Sequence, residues 1–232
     1  FVQYFENIIS FENIKIDGIY SHLSTADALD ASHENSYANI QRRTFLKLLA
    51  NISINKYPNI TIHLANSAGT LISNDFHFDM VRIGLCMYGY TPSQQQNNLM
   101  LKPAMSLKSK VSFIRIVDNN VGVSYGKNFI TSRKTKLAVV SIGYADGIYR
   151  TLSNKISLIH DGNIYPQIGS ITMDQLMVDI TDSKNINIGD TVILLGCNEG
   201  KCISAVDWAN AASTIPWEIL SAFKNRLPRV QI

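Results

Sequence analysis

The chain has 232 residues, of which 46% are hydrophobic and 17% charged, so it is globular in composition and long enough for one large or two smaller domains. Its net charge is only +3, and no run of lysine or arginine indicates a nucleic-acid partner. No apolar stretch has the length of a membrane span and the first residues lack a signal-peptide pattern, which favours a cytoplasmic protein without a membrane partner.

The three cysteines, Cys86, Cys197 and Cys202, have neither the spacing of metal ligands nor the even number of a disulfide set. We therefore expect reduced thiols and no metal site. The chain begins with Phe1 rather than methionine, so we also expect residues upstream of it.

The first hundred residues alternate between helical and strand patterns. Apolar residues at helical spacing begin at Val2, and a strand is predicted over 14–23. A helix follows over 36–52, a second strand over 60–64, and a third strand is predicted within the apolar run 81–88. This alternation is typical of a parallel sheet or barrel, and it supplies about half of the eight strand–helix units of a (β/α)8 barrel.

Near residue 104 the apolar residues change to alternating spacing, which indicates strands. Turn signals such as Asp161-Gly162 separate several short apolar runs, and Ser204 and Pro216 each begin a predicted helix. The predicted strands are 105–113, 137–142, 156–160, 171–180, 191–195 and a closing strand at 227–232. We therefore predict a domain boundary between residues 104 and 105 and a mostly β second domain.

Two apolar runs in the stretch 62–90 end in turns of small residues. Such turns at strand ends bind phosphate through backbone N–H groups and a serine hydroxyl, and Ser67 with the amides of Gly84 and Leu85 fits this role. Arg82 lies at the same end of its run, where barrel enzymes carry their chemistry. The spacing alone fits two core strands with ordinary glycine turns equally well.

Six segments, in order, resemble signature segments of the alanine racemase family, the pyridoxal-phosphate enzymes that interconvert L- and D-alanine. The resemblance runs from about residue 16 to residue 232. It implies the C-terminal part of a (β/α)8 TIM-type barrel that binds pyridoxal 5'-phosphate over residues 1–104, followed by a β-rich C-terminal domain over 105–232. The segments are GIYSHLSTAD at 18–27, HLANSAGT at 63–70, VRIGLCMYGYTPS at 81–93, VSYGKNF at 123–129, VSIGYADG at 140–147 and ITMDQLMVDI at 171–180.

Racemisation removes the Cα proton and returns it on the other face, so it needs two acid/base groups, while the cofactor stabilises the carbanion. In the family one group is the lysine that forms a Schiff base with the cofactor, and the other is a tyrosine that Tyr125 matches, on the L face. A tyrosine ordinarily ionises with a pKa of about 10. The resemblance therefore implies that His22 and Arg82 form a chain that favours the phenolate.

The resemblance implies further roles around the cofactor and the substrate. Arg82 faces the pyridine nitrogen and resists its protonation, which we hypothesise suppresses transamination. Tyr144, Met173 and Asp174 line the substrate entrance, bind the substrate carboxylate and come from the second subunit of a homodimer with shared active sites. The implied cofactor-binding residues are His22, Asn66, Ser67, Arg82, Gly84, Leu85 and the residue at 217.

Two features depart from the family pattern. The Schiff-base lysine lies on the first barrel strand in the family, and no lysine here lies in a matching segment, so the sequence as written is expected to be inactive alone. Trp217 replaces a tyrosine that reaches the cofactor phosphate. The alternatives to an alanine racemase supplying D-alanine for peptidoglycan are a serine or broad-specificity racemase, a pyridoxal-phosphate decarboxylase of the same architecture, and a catalytically inactive fragment or carrier.

Overall fold

The computed structural model describes residues 1–92 and 101–231. The chain divides into two compact units, Phe1–Ala104 (unit 1) and Met105–Ile232 (unit 2), and each is described by itself. Across the described residues, no helix combines the length and apolar character that crossing a membrane requires.

Unit 1 is built around two parallel strands and the helices beside them. Ile19 pairs with Ile62, and Met80 adds a parallel bridge to the end of the second strand. The hydroxyl of Ser36 accepts a hydrogen bond from the N–H of Asn39 at 3.2 Å and caps the second helix where predicted. The elements are α1 Val2–Ile9, β1 Gly18–Tyr20, α2 Tyr37–Asn51, β2 Thr61–His63 and α3 Ser67–Ile72.

The prediction of a third strand within 81–88 is wrong, and the strand predicted over 14–23 is limited to β1. Asp79 takes the place of a strand partner because its N–H donates to the carbonyl of Ile62 at 2.9 Å and its carboxylate accepts from the N–H of Ile62 at 2.7 Å. Beyond Arg82 the chain turns at Gly84, and Leu85–Tyr88 forms a 3₁₀-helix. The apolar run 81–88 therefore ends in a helical turn and does not pair as a strand.

Unit 2 is an antiparallel sheet that closes on itself. The order is β11-β10-β3-β6-β9-β8-β7, and a pairing between β10 and β7 at Ile193 and Ile159 joins six of these strands into a ring. Buried residues such as Leu158, Leu176 and Val192 fill its interior. The strands are β3 Leu107–Val117, β4 Gly122–Val123, β5 Phe129–Ile130, β6 Thr135–Val140, β7 Ser157–His160, β8 Asn163–Ile168, β9 Leu176–Asp179, β10 Thr191–Asn198 and β11 Lys201–Ile203.

Both helices predicted for unit 2 are confirmed as α4 Ala205–Ala212 and α5 Pro216–Ala222, and Ser204 and Asp207 form the expected capping box. Two strand predictions need correction. The strand predicted at 171–180 begins only at β9, because the N–H and the hydroxyl of Thr172 both donate to the carbonyl of Gln175, which makes a turn. Residues 227–231 of the predicted closing strand pair with no strand among the described residues.

The prediction that all three cysteines are reduced thiols is also wrong. Glu199 and Gly200 both have positive φ and form a two-residue turn between β10 and β11. This hairpin places Cys197 directly opposite Cys202, and the two sulfurs are bonded at 2.05 Å. Cys86 is free, and burial raises the pKa of its thiol.

Thiol titration tests this pairing. We expect one reactive thiol per chain when the protein is denatured without reductant and three after reduction, because only Cys86 is free. Replacing Cys197 and Cys202 together by serine should remove about 2 kcal/mol of stability, the chain-entropy value for so short a loop. Three reactive thiols before reduction would contradict the pairing.

Candidate active site

Polar side chains of unit 1 meet where the parallel strands end. His22 follows β1, Ser67 follows β2, and Arg82 follows the bridge made by Met80. The carboxyl ends of neighbouring parallel strands lie at one edge of a sheet, which is where α/β proteins bind ligands. The structure therefore brings the predicted residues of the first half of the chain to one edge.

The guanidinium of Arg82 joins these strand ends. Its Nη1 lies 2.6 Å from Nδ1 of His63, and its Nη2 donates to the carbonyl of Ser21 at 2.8 Å. The same Nη2 contacts the carbonyl of Leu64 and Nδ1 of His22, each at 3.3 Å. Its Nε–H has no acceptor among the residues described, so the guanidinium keeps a donor for a ligand.

The contacts of Arg82 determine the tautomers of both histidines. A guanidinium has donors and no acceptor, so Nδ1 of His22 and Nδ1 of His63 must both accept. Each ring then carries its proton on Nε2, and the Nε2–H of His22 is a donor directed away from Arg82. Burial, and then the charge of Arg82, lower the pKa of His63 from its ordinary value of 6.5.

His63 and Tyr20 belong to this group, although the sequence analysis did not select them. The ring of Tyr20 stacks on that of His63 with centroids 5.2 Å apart, and the guanidinium of Arg82 lies 5.1 Å from the centre of the tyrosine ring. Both residues lie inside the segments that carry the family resemblance, and each is the last residue of its strand. That position is the signal by which they could have been found.

Ser67, Gly84 and Leu85 lie together, as a phosphate site requires. The buried hydroxyl oxygen of Ser67 accepts from the N–H of Gly84 at 2.8 Å and from that of Cys86 at 3.5 Å. The Ser67 hydroxyl is also hydrogen-bonded to the Cys86 thiol, and this bond opposes the rise in the pKa of that thiol. Leu85 begins the 3₁₀-helix that follows Gly84. This side of the site thus presents a hydroxyl donor beside a helix start.

Asn66 holds the backbone of the site in place. Its side-chain oxygen accepts from the N–H of Gly69 at 2.9 Å, which caps α3, and its side-chain nitrogen donates to the carbonyl of Leu23 at 3.3 Å. Gln41 on α2 supports the same region, because its side chain donates to the carbonyl of His22 at 3.2 Å. Gln41 was not predicted.

Tyr125 lies at the tip of the hairpin formed by β4 and β5 in unit 2, and 73% of its surface is exposed. Ser124 has φ 62° and ψ −173°, a conformation that is almost confined to glycine and costs about 1–3 kcal/mol. Gly126 and Lys127 also have positive φ. The turn thus holds the phenol out from the hairpin at a cost in backbone strain.

The structure brings Tyr144 next to Met173 and Asp174. The N–H of Tyr144 donates to the carbonyl of Thr172 at 2.9 Å, and a side chain on the preceding residue, Gly143, would place its Cβ 2.2 Å from that carbonyl oxygen. Glycine is therefore required for this close approach.

Arg226, which was not predicted, forms ion pairs with two carboxylates beside this segment. It bonds Asp174 and lies 3.1 Å from Asp146, and the hydrogen bond with Asp174 together with the two negative charges raises its pKa. Trp217, at the second residue of α5, is not joined by a hydrogen bond to another candidate within the part of the chain described.

The comparisons with known proteins cover both units. The family described as "Alanine racemase, N-terminal domain" matches residues 1–92, and "Alanine racemase, C-terminal domain" matches residues 104–231. An alanine racemase from Prochlorococcus marinus is 50% identical over 224 residues, covering 96% of this chain and 58% of that protein. One from Nostoc is 43% identical over 233 residues, again 58% of its length. The chain thus spans less than two thirds of these relatives.

Solved structures of alanine racemases are also similar to this chain. Alanine racemase from Bacillus anthracis with bound L-Ala-P has a TM-score of 0.89 at 33% identity, covering 99% of this chain and 58% of that one. Alanine racemase from Bartonella henselae with covalently bound pyridoxal phosphate has a TM-score of 0.85 at 36% identity, covering 100% and 61%. The predicted fold class, a partial (β/α)8 barrel followed by a mostly β domain, is confirmed.

The lowered pKa of His63 predicts how stability depends on pH. The folded state takes up this proton at a lower pH than the unfolded state, so stability is complete above about pH 6.5 and is lost as the pH falls toward the folded pKa. Urea unfolding at pH 7.5 and 5.5 should show this loss, and His63→Gln, which does not titrate, should reduce it. His33→Gln, which alters an exposed histidine, is the control and should lose as much stability between pH 7.5 and 5.5 as the unaltered protein. An equal loss of stability in all three proteins would contradict the assignment of the effect to His63.

Proposed function

This chain belongs to the alanine racemase family, and from that premise we propose that it forms part of a pyridoxal-phosphate enzyme that interconverts L- and D-alanine. The observation that carries the proposal is the group formed by Arg82, His22 and His63 at the strand ends, with Ser67 and Gly84 beside it. It supplies a cation, a directed N–H donor and a hydroxyl at one edge of the sheet.

The residues present fit pyridoxal 5'-phosphate. The Ser67 hydroxyl could donate to a phosphate oxygen by exchanging its hydrogen bond with the Cys86 thiol, and Gly84 leaves open space because a Cβ there would meet only the Ser67 hydroxyl, at 3.9 Å. The free Nε–H of Arg82 is a donor for the pyridine nitrogen. When bound, this cofactor delocalises the electron pair that remains when the Cα proton leaves. Arg82 stays charged and cannot accept a proton, so with the cofactor bound it would keep the pyridine nitrogen unprotonated and disfavour transamination.

We propose that Tyr125 takes and returns the proton on the L face. The Nε2–H of His22 would donate to the phenolate oxygen, while Nδ1 of the same ring remains bound to Arg82. The exposure of Tyr125 supports a role toward a second copy of the chain, so we propose a homodimer in which Tyr125 of one subunit reaches the cofactor of the other. The second acid/base group in this family is a lysine, and we assign it to the whole protein rather than to this chain.

Met173 and Asp174 are proposed to bind the substrate carboxylate through the backbone. The Asp174 side chain would repel a carboxylate and already pairs with Arg226. This leaves the backbone N–H groups of Met173 and Asp174, neither with an acceptor among the residues described, as the donors. Tyr144 would line the entrance from the same segment. We propose that Trp217 lies beside the cofactor phosphate. We also propose that the enzyme is cytoplasmic and supplies D-alanine for peptidoglycan.

The activity test uses the whole protein that contains this chain, including the lysine, with pyridoxal 5'-phosphate and L-alanine in D₂O. We expect D-alanine to appear with deuterium at Cα, and Tyr125→Phe to lower kcat about 10²–10⁴-fold because it removes one acid/base group. Tyr165→Phe, on β8, is the matched control and should be as active as the unaltered protein.

The same assay separates the alternatives. Faster exchange with L-serine than with L-alanine would assign a serine racemase, and release of CO₂ would assign a decarboxylase. If Tyr125→Phe and Tyr165→Phe are equally active, the role proposed for Tyr125 is wrong.

A further inference from the structure

Ser170 is a buried polar residue between β8 and the turn that carries Met173. Only 1% of its surface is exposed, and its hydroxyl has one hydrogen-bond acceptor and one donor as partners. The hydroxyl donates to the carbonyl of Tyr125 at 2.8 Å and accepts from the side-chain nitrogen of Asn128 at 2.8 Å. One side chain therefore holds two positions of the turn at the tip of the β4–β5 hairpin.

The backbone of Ser170 also binds the turn that carries Tyr125. The carbonyl of Ser170 accepts from the hydroxyl of Ser124 at 2.7 Å. Ser124 is the strained residue immediately before Tyr125, so its unusual conformation is stabilised by this contact. Gly169 allows the approach, because a Cβ there would lie 2.8 Å from the carbonyl oxygen of Val123 and 3.0 Å from Cβ of Ser124.

The segment that begins at Ser170 also positions the residues proposed to meet the substrate. Two residues beyond it, the carbonyl of Thr172 accepts from the N–H of Tyr144, and that of Met173 accepts from the N–H of Ala145 at 3.0 Å. Segment 169–175 therefore fixes the distance between the Tyr125 turn and the Met173 turn.

We propose that Ser170 is a positioning residue for the reaction: its hydroxyl sets where the Tyr125 phenol stands relative to the substrate carboxylate. This inference rests on the proposed function. A proton transfer requires its donor and acceptor within hydrogen-bond reach, so a small movement of the turn slows catalysis without removing the phenol. Because the hydroxyl is used both as donor and as acceptor, alanine at 170 removes the donor to the Tyr125 carbonyl and the acceptor from the Asn128 side chain, whereas threonine keeps a hydroxyl at this position.

The first measurement is amide hydrogen exchange of the isolated protein over residues 118–131, where the hairpin makes its hydrogen bonds. Ser170→Ala should exchange at least tenfold faster in this peptide and at an unchanged rate in β6 and β9. Ser170→Thr should restore the slow rate. Ser112→Ala, which removes an exposed serine hydroxyl from β3, is the matched control and should change nothing in the peptide. Unchanged exchange in Ser170→Ala overturns the proposal.

The second measurement compares deuterium isotope effects for L- and D-alanine labelled at Cα. Ser170→Ala should lower kcat ten- to hundredfold and raise the isotope effect for L-alanine more than that for D-alanine, because Tyr125 acts only on the L face. Equal changes would show a merely structural role and overturn the positioning role. If the unaltered protein racemises neither alanine nor serine, the proposed function fails, while the exchange result still decides whether Ser170 holds the turn.

Discussion

A guanidinium has five N–H donors and no acceptor, and that constraint at Arg82 organises the site of unit 1. Every hydrogen-bond partner of this guanidinium must turn a lone pair toward it, so carbonyls and ring nitrogens of two strand ends face it. The orientation of His22 follows from this demand, and so does the direction in which that ring can donate. The chemistry proposed for the site depends on one side chain that cannot accept a proton.

In unit 2 the main constraint is that the exposed side chain of Tyr125 must be held in a fixed position. A phenol at a hairpin tip would sample many positions if the turn were free. The turn instead has a strained backbone, and the buried Ser170 of another segment donates a hydrogen bond to its Tyr125 carbonyl. The strain is tolerated because Ser170 satisfies both the hydroxyl of Ser124 and the carbonyl of Tyr125. Rigid support of this kind is typical of residues that must meet a substrate at a fixed distance.

Local signals predicted the features that depend on neighbours in sequence. The serine cap of α2 and the capping box of α4 need only a few residues. The ordered motifs selected His22, Ser67, Arg82 and Tyr125 as candidates. Long-range contacts could not be read in this way. Ser170 meets Tyr125 from 45 residues away, and the disulfide depends on β11, a three-residue strand too short to leave a pattern. The run 171–180 looked like one strand because its apolar residues alternate, whereas Thr172 diverts the chain through local hydrogen bonds.

The ring closure of unit 2 bears on how the protein behaves in concentrated solution. The pairing of Ile159 on β7 with Ile193 on β10 closes six strands into a ring, and the appended β11 is too short to recruit a neighbouring chain. Unit 2 therefore offers other chains few open backbone groups for intermolecular strand addition and for the precipitation that follows from it.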